Sequence, residues 1–168
     1  MVLRIQVNGV DLDDAVEVAS VTVNNGRAGI GLGAVDDFPL GARVEIAAGY
    51  GVVATIFEGE IVEHTAAGDG HAIRFGVVLA GAIPQRTPGD APVLTLQWGE
   101  TIQEFESRTD GAKRRGRVRS RGTSLAAPGN TIELAGIGVR FDGVVVVSAV
   151  RHEIANGTWT TELTFGAE

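Results

Sequence analysis

Cysteine is absent from this 168-residue chain, which removes disulfide frameworks and thiolate metal sites together and leaves the redox compartment unmarked. Long apolar runs are missing as well: Val144 to Val147 stops far short of the roughly 18 residues a membrane helix needs. The opening Met1-Val2-Leu3-Arg4-Ile5-Gln6-Val7 alternates and has no apolar signal region, so a soluble product made in the cytoplasm, without a signal peptide, is expected. Aromatic residues make up only 5% and prolines number 5, against 24 glycines, a balance that points to many tight turns and bulges. A hydrophobic content of 44% excludes disorder. The expected fold class is all-β.

Charge is short of one sign in each half. Residues 1–112 carry 6 basic and 16 acidic side chains, residues 113–168 carry 8 basic and 5 acidic, and the net charge is −7. That asymmetry argues against general nucleic-acid binding and suits an acidic surface meeting a more basic one in an assembly.

Period-two alternation places the strands. Leu3, Ile5 and Val7 alternate with Arg4 and Gln6 up to an Asn8-Gly9 hairpin turn. Val16, Val18, Val21 and Val23 are separated from Ile30 and Leu32 by Asn24-Asn25-Gly26, a second hairpin, and Asp36-Asp37-Phe38-Pro39-Leu40-Gly41 is turn chemistry. Val44 and Ile46 face one way, Arg43 and Glu45 the other. The segment from Val53 to His64 reads as a strand with Gly59 able to take a bulge conformation, and the segment from His71 to Leu79 as a strand nearly buried on both sides. Thr101-Ile102-Gln103-Glu104 has the form of a helix capping box, but no apolar stripe continues it, and because the corresponding part of the first half is the Val16 to Leu32 hairpin, Glu100 to Ser107 and Gly116 to Gly122 are expected as strands. In the closing strand Trp159, Thr161, Leu163 and Phe165 share a face. The stretch from Ala82 to Pro92 holds three prolines and divides the chain into a first module 1–81, a linker 82–92 and a second module 93–168. Each half is near the lower size limit for an unaided core, which favours modules packed on each other or on other subunits.

The two halves repeat an order of parts. Gly41 matches Gly129, Arg43 to Ile46 matches Thr131 to Leu134, and Ala48-Gly49 lies close to Ala135-Gly136. Phe57-Glu58-Gly59 then matches Phe141-Asp142-Gly143, His64 matches His152, and an apolar strand closes each copy. One module written twice is the reading preferred over chance similarity of glycine-rich turns.

Chemistry-bearing residues are few. Arg115, Arg117, Arg119 and Arg121 fall at period two, so their guanidinium groups leave one strand face. They suit a phosphate or polyanion track or a channel wall; the preferred reading is a solvated face paired with Glu104, Glu106 and Asp110, because cross-strand pairing needs no ligand. His64, Asp69 and His71 flank one hairpin and could bind a metal or shuttle protons, but the repeat-equivalent positions of His64 and His152 favour a shared structural hydrogen bond. Glu58 and Asp142 each precede a glycine and read as turn residues rather than a general acid and base. Gly29-Ile30-Gly31-Leu32-Gly33 lacks the third glycine of a dinucleotide loop. No catalytic, cofactor-binding or metal residue is nominated, no cofactor is implied, and enzymatic activity is not expected.

Phe38 to Ile46, Gly49-Tyr50-Gly51 and Ile56 to Ile61 together resemble the first tube-like domain of contractile-injection hub proteins: the VgrG proteins of type VI secretion, phage late control protein D and the hubs of extracellular injection particles. Pro128 to Gly136, Arg140 to Gly143, Val147 to His152 and Gly157 to Leu163 look like the closing part of the same hub. The resemblance implies two β-barrel-like modules per chain, with three chains forming a pseudo-sixfold ring that joins a hexameric tail tube to a trimeric spike. Family hubs usually carry further domains where this chain has its proline stretch, and many continue into a spike where it stops at Glu168. A minimal hub is therefore implied, to which membrane puncture and cargo attachment do not carry over. Its implied partners are further copies of itself, the tail tube protein, the spike and other baseplate components, without specific nucleic acid, and its place after synthesis is a virion or phage-tail-like particle. A tail-tube or tube-initiator protein is the alternative in the same class. A glycan- or small-molecule-binding β-sandwich, with Trp159 and Tyr50 as stacking residues, is the alternative from another class.

Overall fold

The computed structural model describes residues 1–12, 18–33, 38–84 and 91–166. Val16, the Asp36-Asp37 turn and the heart of the proline stretch lie outside them. Every regular element among the described residues is a strand, which establishes the all-β class. Two compact units divide the chain: Met1–Pro84 with Glu153–Trp159, and Gln85–His152 with Thr160–Glu168. The difference from the sequence-based division lies in Glu153–Trp159, where buried Ile154 and Trp159 belong to the first unit.

The first unit contains β1 (Val2–Val7), β2 (Val10–Asp11), β3 (Val18–Val23), β4 (Arg27–Leu32), β5 (Arg43–Gly49), β6 (Ala54–Gly68) and β7 (Ile73–Ala82), hydrogen-bonded in the order β2-β1-β5-β6-β7-β4-β3. Asn8 and Gly9 turn β1 into β2 with φ of 52° and 81°, the left-handed pair that a two-residue hairpin requires. Alternation then sorts the side chains. Val44, Ile46, Phe57, Ile61, Val77 and Leu79 are each at most 1% exposed, and each such burial stabilises the fold by about 1.5–3 kcal/mol.

The second unit draws on β8 (Thr95–Gln97), β9 (Ile102–Asp110), β10 (Lys113–Arg121), β11 (Thr131–Ala135), β12 (Gly143–Ala155) and β13 (Thr158–Phe165). Its order is β8-β11-β12-β13-β10-β9. Val118, Ile132, Leu134, Leu163 and Phe165 form its core. The would-be capping box closes a turn instead, with the Gln97 amide donating to the Thr101 hydroxyl at 2.8 Å.

Taken in chain order, β1, β3, β4, β5, β6 and β7 correspond to β8 through β13, and the hydrogen-bonded order is the same in both units: β1-β5-β6-β7-β4-β3 against β8-β11-β12-β13-β10-β9. Gly41 and Gly129 match in conformation as well as in place, with φ of 81° and 92° two residues ahead of β5 and β11. The units differ at one edge, since β1 runs antiparallel to β5 while the short β8 runs parallel to β11.

Register corrects three expectations. Val44 faces Gly59 and Ile132 faces Val145, so Gly59 corresponds to Val145 rather than to Gly143, and the Phe-acid-Gly landmarks are displaced by two residues. Gly59 is not at a bulge. It lies inside β6 where an added Cβ would come 2.5 Å from the Ala80 carbonyl oxygen, so its role is close strand approach. The strand from Ile73 is buried or half-buried only between Phe75 and Leu79: Ile73 is 65% exposed, and β6 and β7 run past their neighbours as an exposed hairpin.

Candidate interaction surface

The second unit carries the arginine face. In β10, Arg115, Arg117 and Arg119 lie directly opposite Arg108, Glu106 and Glu104 of β9, while Arg117, Arg119 and Arg121 lie opposite Thr164, Glu162 and Thr160 of β13. The alternate residues Gly116, Val118 and Ser120 turn to the core, where Phe105 stacks on Phe165 with centroids 6.4 Å apart and meets the edge of Phe141 at 6.2 Å. Opposed positions on a sheet share a face, so guanidinium groups meet carboxylates across this surface at Arg117 and Arg119 and another guanidinium at Arg115. Arg117 Nη2 lies 3.4 Å from Glu106 Oε2, with side chains 60% and 59% exposed. An ion pair that open contributes about 1 kcal/mol or less. A groove of about 570 Å³ runs beside Glu106, Arg108, Arg115, Arg117 and Thr164.

Arg114 is out of phase with this series and turns away from it. Its Nη1 donates to the Asp142 carbonyl at 3.3 Å, while Nε and Nη2 are shut from solvent without an acceptor. Sequence reading passed over it, although its phase relative to Arg115 was the available signal.

The histidines are dispersed. His64 is exposed in the first unit, with Nε2 against the Phe38 carbonyl oxygen. His71 sits at the β6–β7 hairpin tip, where its own amide and that of Ala72 donate to Asp69 at 3.0 and 3.3 Å and hold that carboxyl below the usual aspartate range. His152 is buried in the second unit, with Nδ1 2.9 Å from the Thr161 hydroxyl, which accepts from the Thr123 amide at 3.0 Å. Burial pushes the His152 pKa down to about 4. A hydrogen bond shared by His64 and His152 is therefore not what the fold contains, because their partners and burial differ. Among the described residues no three His, Asp or Glu side chains are placed to hold a metal ion.

Asp142 does close a turn: its carboxylate accepts from the amides of Ile137 at 2.8 Å and Gly138 at 3.1 Å, and the Gly138 bond followed by the Ile137 bond lowers its pKa. Glu58 does not. It is an exposed strand residue directly opposite Glu45, a like-charge pairing that only the register reveals. The proposed stacking residues find each other in the first unit, with Tyr50 and Trp159 centroids 5.6 Å apart and planes at 18°. Trp159 is 1% exposed, so its ring is packed within the protein rather than offered to a ligand.

The family described as the Alg8 N-terminal domain matches residues 106–156, well under half the chain. No curated protein matches. Among solved structures, the tail protein from Neisseria meningitidis MC58 is similar at a TM-score of 0.69 and 8% identity, over 99% of this chain and 96% of that one. The 43 kDa tail protein of prophage MuSo2 from Shewanella oneidensis gives 0.65 and 5%, over 97% and 95%. The E. coli c3393 protein gives 0.57 and 13%, over 98% and 76%; it is described as a component of the type VI secretion system with structural similarity to the T4 bacteriophage tail proteins gp27 and gp5. At these identities the likeness establishes the fold, and that fold is the one shared by these tail proteins and the type VI secretion component.

Proposed function

From a fold held in common with phage tail proteins and a type VI secretion component, we propose that this chain is a structural baseplate hub of a phage-tail-like contractile injection apparatus. Three copies close into a ring that presents six similar modules to the tail tube on one side and threefold symmetry to the spike on the other. The observation that carries this reading is the common strand order of the two units. Two similar modules in each of three chains give six comparable positions around an axis, which is what joining a sixfold tube to a threefold spike demands. The role is assembly rather than catalysis. Its partners are further copies of itself, the tube, the spike and other baseplate components, and its destination is a virion or tail-like particle.

Native mass measurement with negative-stain imaging of the purified chain tests the proposal. A three-protomer ring with an axial hole supports it, and a stable monomer at micromolar concentration contradicts it. A hexamer stacking into tubes would favour the second reading, a tail-tube or tube-initiator protein, which the two neighbours described as tail proteins keep in view.

A further inference from the structure

A ring of identical chains requires two different faces on each chain that fit one another. Two cross-strand pairs identify a candidate for each. In the β5–β6 ladder Glu45 lies directly opposite Glu58, and in the β9–β10 ladder Arg108 lies directly opposite Arg115. Directly opposed like charges destabilise a sheet. Their neighbours follow the opposite rule: Arg43 faces Glu60, Arg117 faces Glu106, Arg119 faces Glu104 and Lys113 faces Asp110. In both ladders every other opposed pair of charges has mixed signs, so the two exceptions stand out. One exception is acidic and lies in the first unit; the other is basic and lies in the second.

We propose that the Glu45–Glu58 pair of one copy seats against the Arg108–Arg115 pair of the next. This rests on the ring reading above and says which surfaces make the ring. Charge on a larger scale agrees with it, since the first unit holds 12 acidic and 4 basic side chains. Shape agrees too: Arg108 and Arg115 border the groove of about 570 Å³. Glu58, Arg108 and Arg115 are exposed, and Glu45, half-buried, is held by the Thr55 hydroxyl, so the acidic pair is partly ordered before a partner arrives. Two guanidinium forks meeting two carboxylates form charge-assisted bonds and cancel both repulsions at once. The contact is heterologous, so it propagates around an axis until the ring closes.

The test uses the full chain and three variants, Glu58→Arg, Arg115→Glu and the two combined, with circular dichroism to establish that each folds. Sedimentation velocity over a concentration series at low and high salt reads the association constant. Each single reversal is expected to weaken association by about 10-fold or more, with the double exchange restoring it to within about 3-fold of the parent, the range measured for close interfacial charge pairs. Singles that weaken association without rescue by the double exchange overturn the pairing of these two faces. A trimer indifferent to both reversals, whatever polyanion the arginine groove then takes up, overturns the inference and leaves the ring reading standing. A parent chain that remains a monomer overturns the ring reading and the inference with it.

Discussion

Tyr50 lies nearly parallel to Trp159, 18° between the ring planes and 5.6 Å between centroids, with the tyrosine 40% exposed and the tryptophan 1%. The pair shows why one segment from late in the chain belongs to the first unit. An indole needs more apolar surface than its own narrow strand supplies, and Tyr50, held between β5 and β6, covers one of its faces.

Trp159→Ala should therefore cost about 3–5 kcal/mol, the range for large aromatic truncations in a core. Tyr50→Ala should cost nearer 1 kcal/mol, since its ring is partly solvated and the stacking itself is worth about that much. Urea unfolding followed by circular dichroism measures both. A Trp159→Ala protein of parental stability that had lost binding to a glycan array would instead favour a ligand-stacking role.

His152 makes stability depend on pH. Its folded pKa is lowered to about 4 from the ordinary 6.5 by burial. Above pH 6.5 both folded and unfolded chains hold it neutral and its contribution is complete. As pH falls from 6.5 toward 4 the unfolded chain binds a proton that the folded chain refuses, so stability drops across that window by up to about 3 kcal/mol. Denaturation midpoints at pH 7 and pH 5 should differ in the parent, and the difference should shrink in His152→Gln. An equal pH dependence in both proteins would place the titrating group elsewhere.

Gly41 and Gly129 precede β5 and β11 with positive φ, and neither has a neighbour within 4 Å of where a Cβ would sit. Backbone strain alone, about 1–2 kcal/mol, should then separate Gly41→Ala and Gly129→Ala from the parent. The two melting-temperature shifts should be similar in sign and size, since the turns occupy corresponding places in the two units. A neutral effect at one site and a large one at the other would argue against equivalence.

The exposed Arg117–Glu106 bridge predicts a small effect. Glu106→Gln should change unfolding free energy by about 1 kcal/mol or less, and less still in high salt. A larger loss, measured on dilute chain where no association occurs, would mean that this face contributes to the fold itself.

Much of the chain is legible in its sequence. Asn8-Gly9 and the Val18 to Leu32 hairpin announce themselves through turn residues between alternating runs, both local signals, whereas the β9–β10 pair is legible only through its place in the repeat. The same locality explains the misplacements. Phe57-Glu58-Gly59 resembles Phe141-Asp142-Gly143 letter by letter, but the first lies inside β6 and the second leads into β12, because the β5–β6 and β11–β12 ladders pair two residues out of step with that match. The pairing of Glu45 with Glu58 and of Arg108 with Arg115 could not be read from the letters, since strand register is settled by which side chains the assembled sheet buries.

By itself, then, the sequence determined the all-β class, the turns, the face on which each side chain emerges and the doubled order of parts, because each follows from dihedral preference and period-two alternation over a few residues. Tertiary structure alone decided that His152 is buried while His64 is exposed, and which like charges stand opposite each other. Those outcomes depend on residues far apart in the chain competing to be removed from water, and no local pattern records who wins.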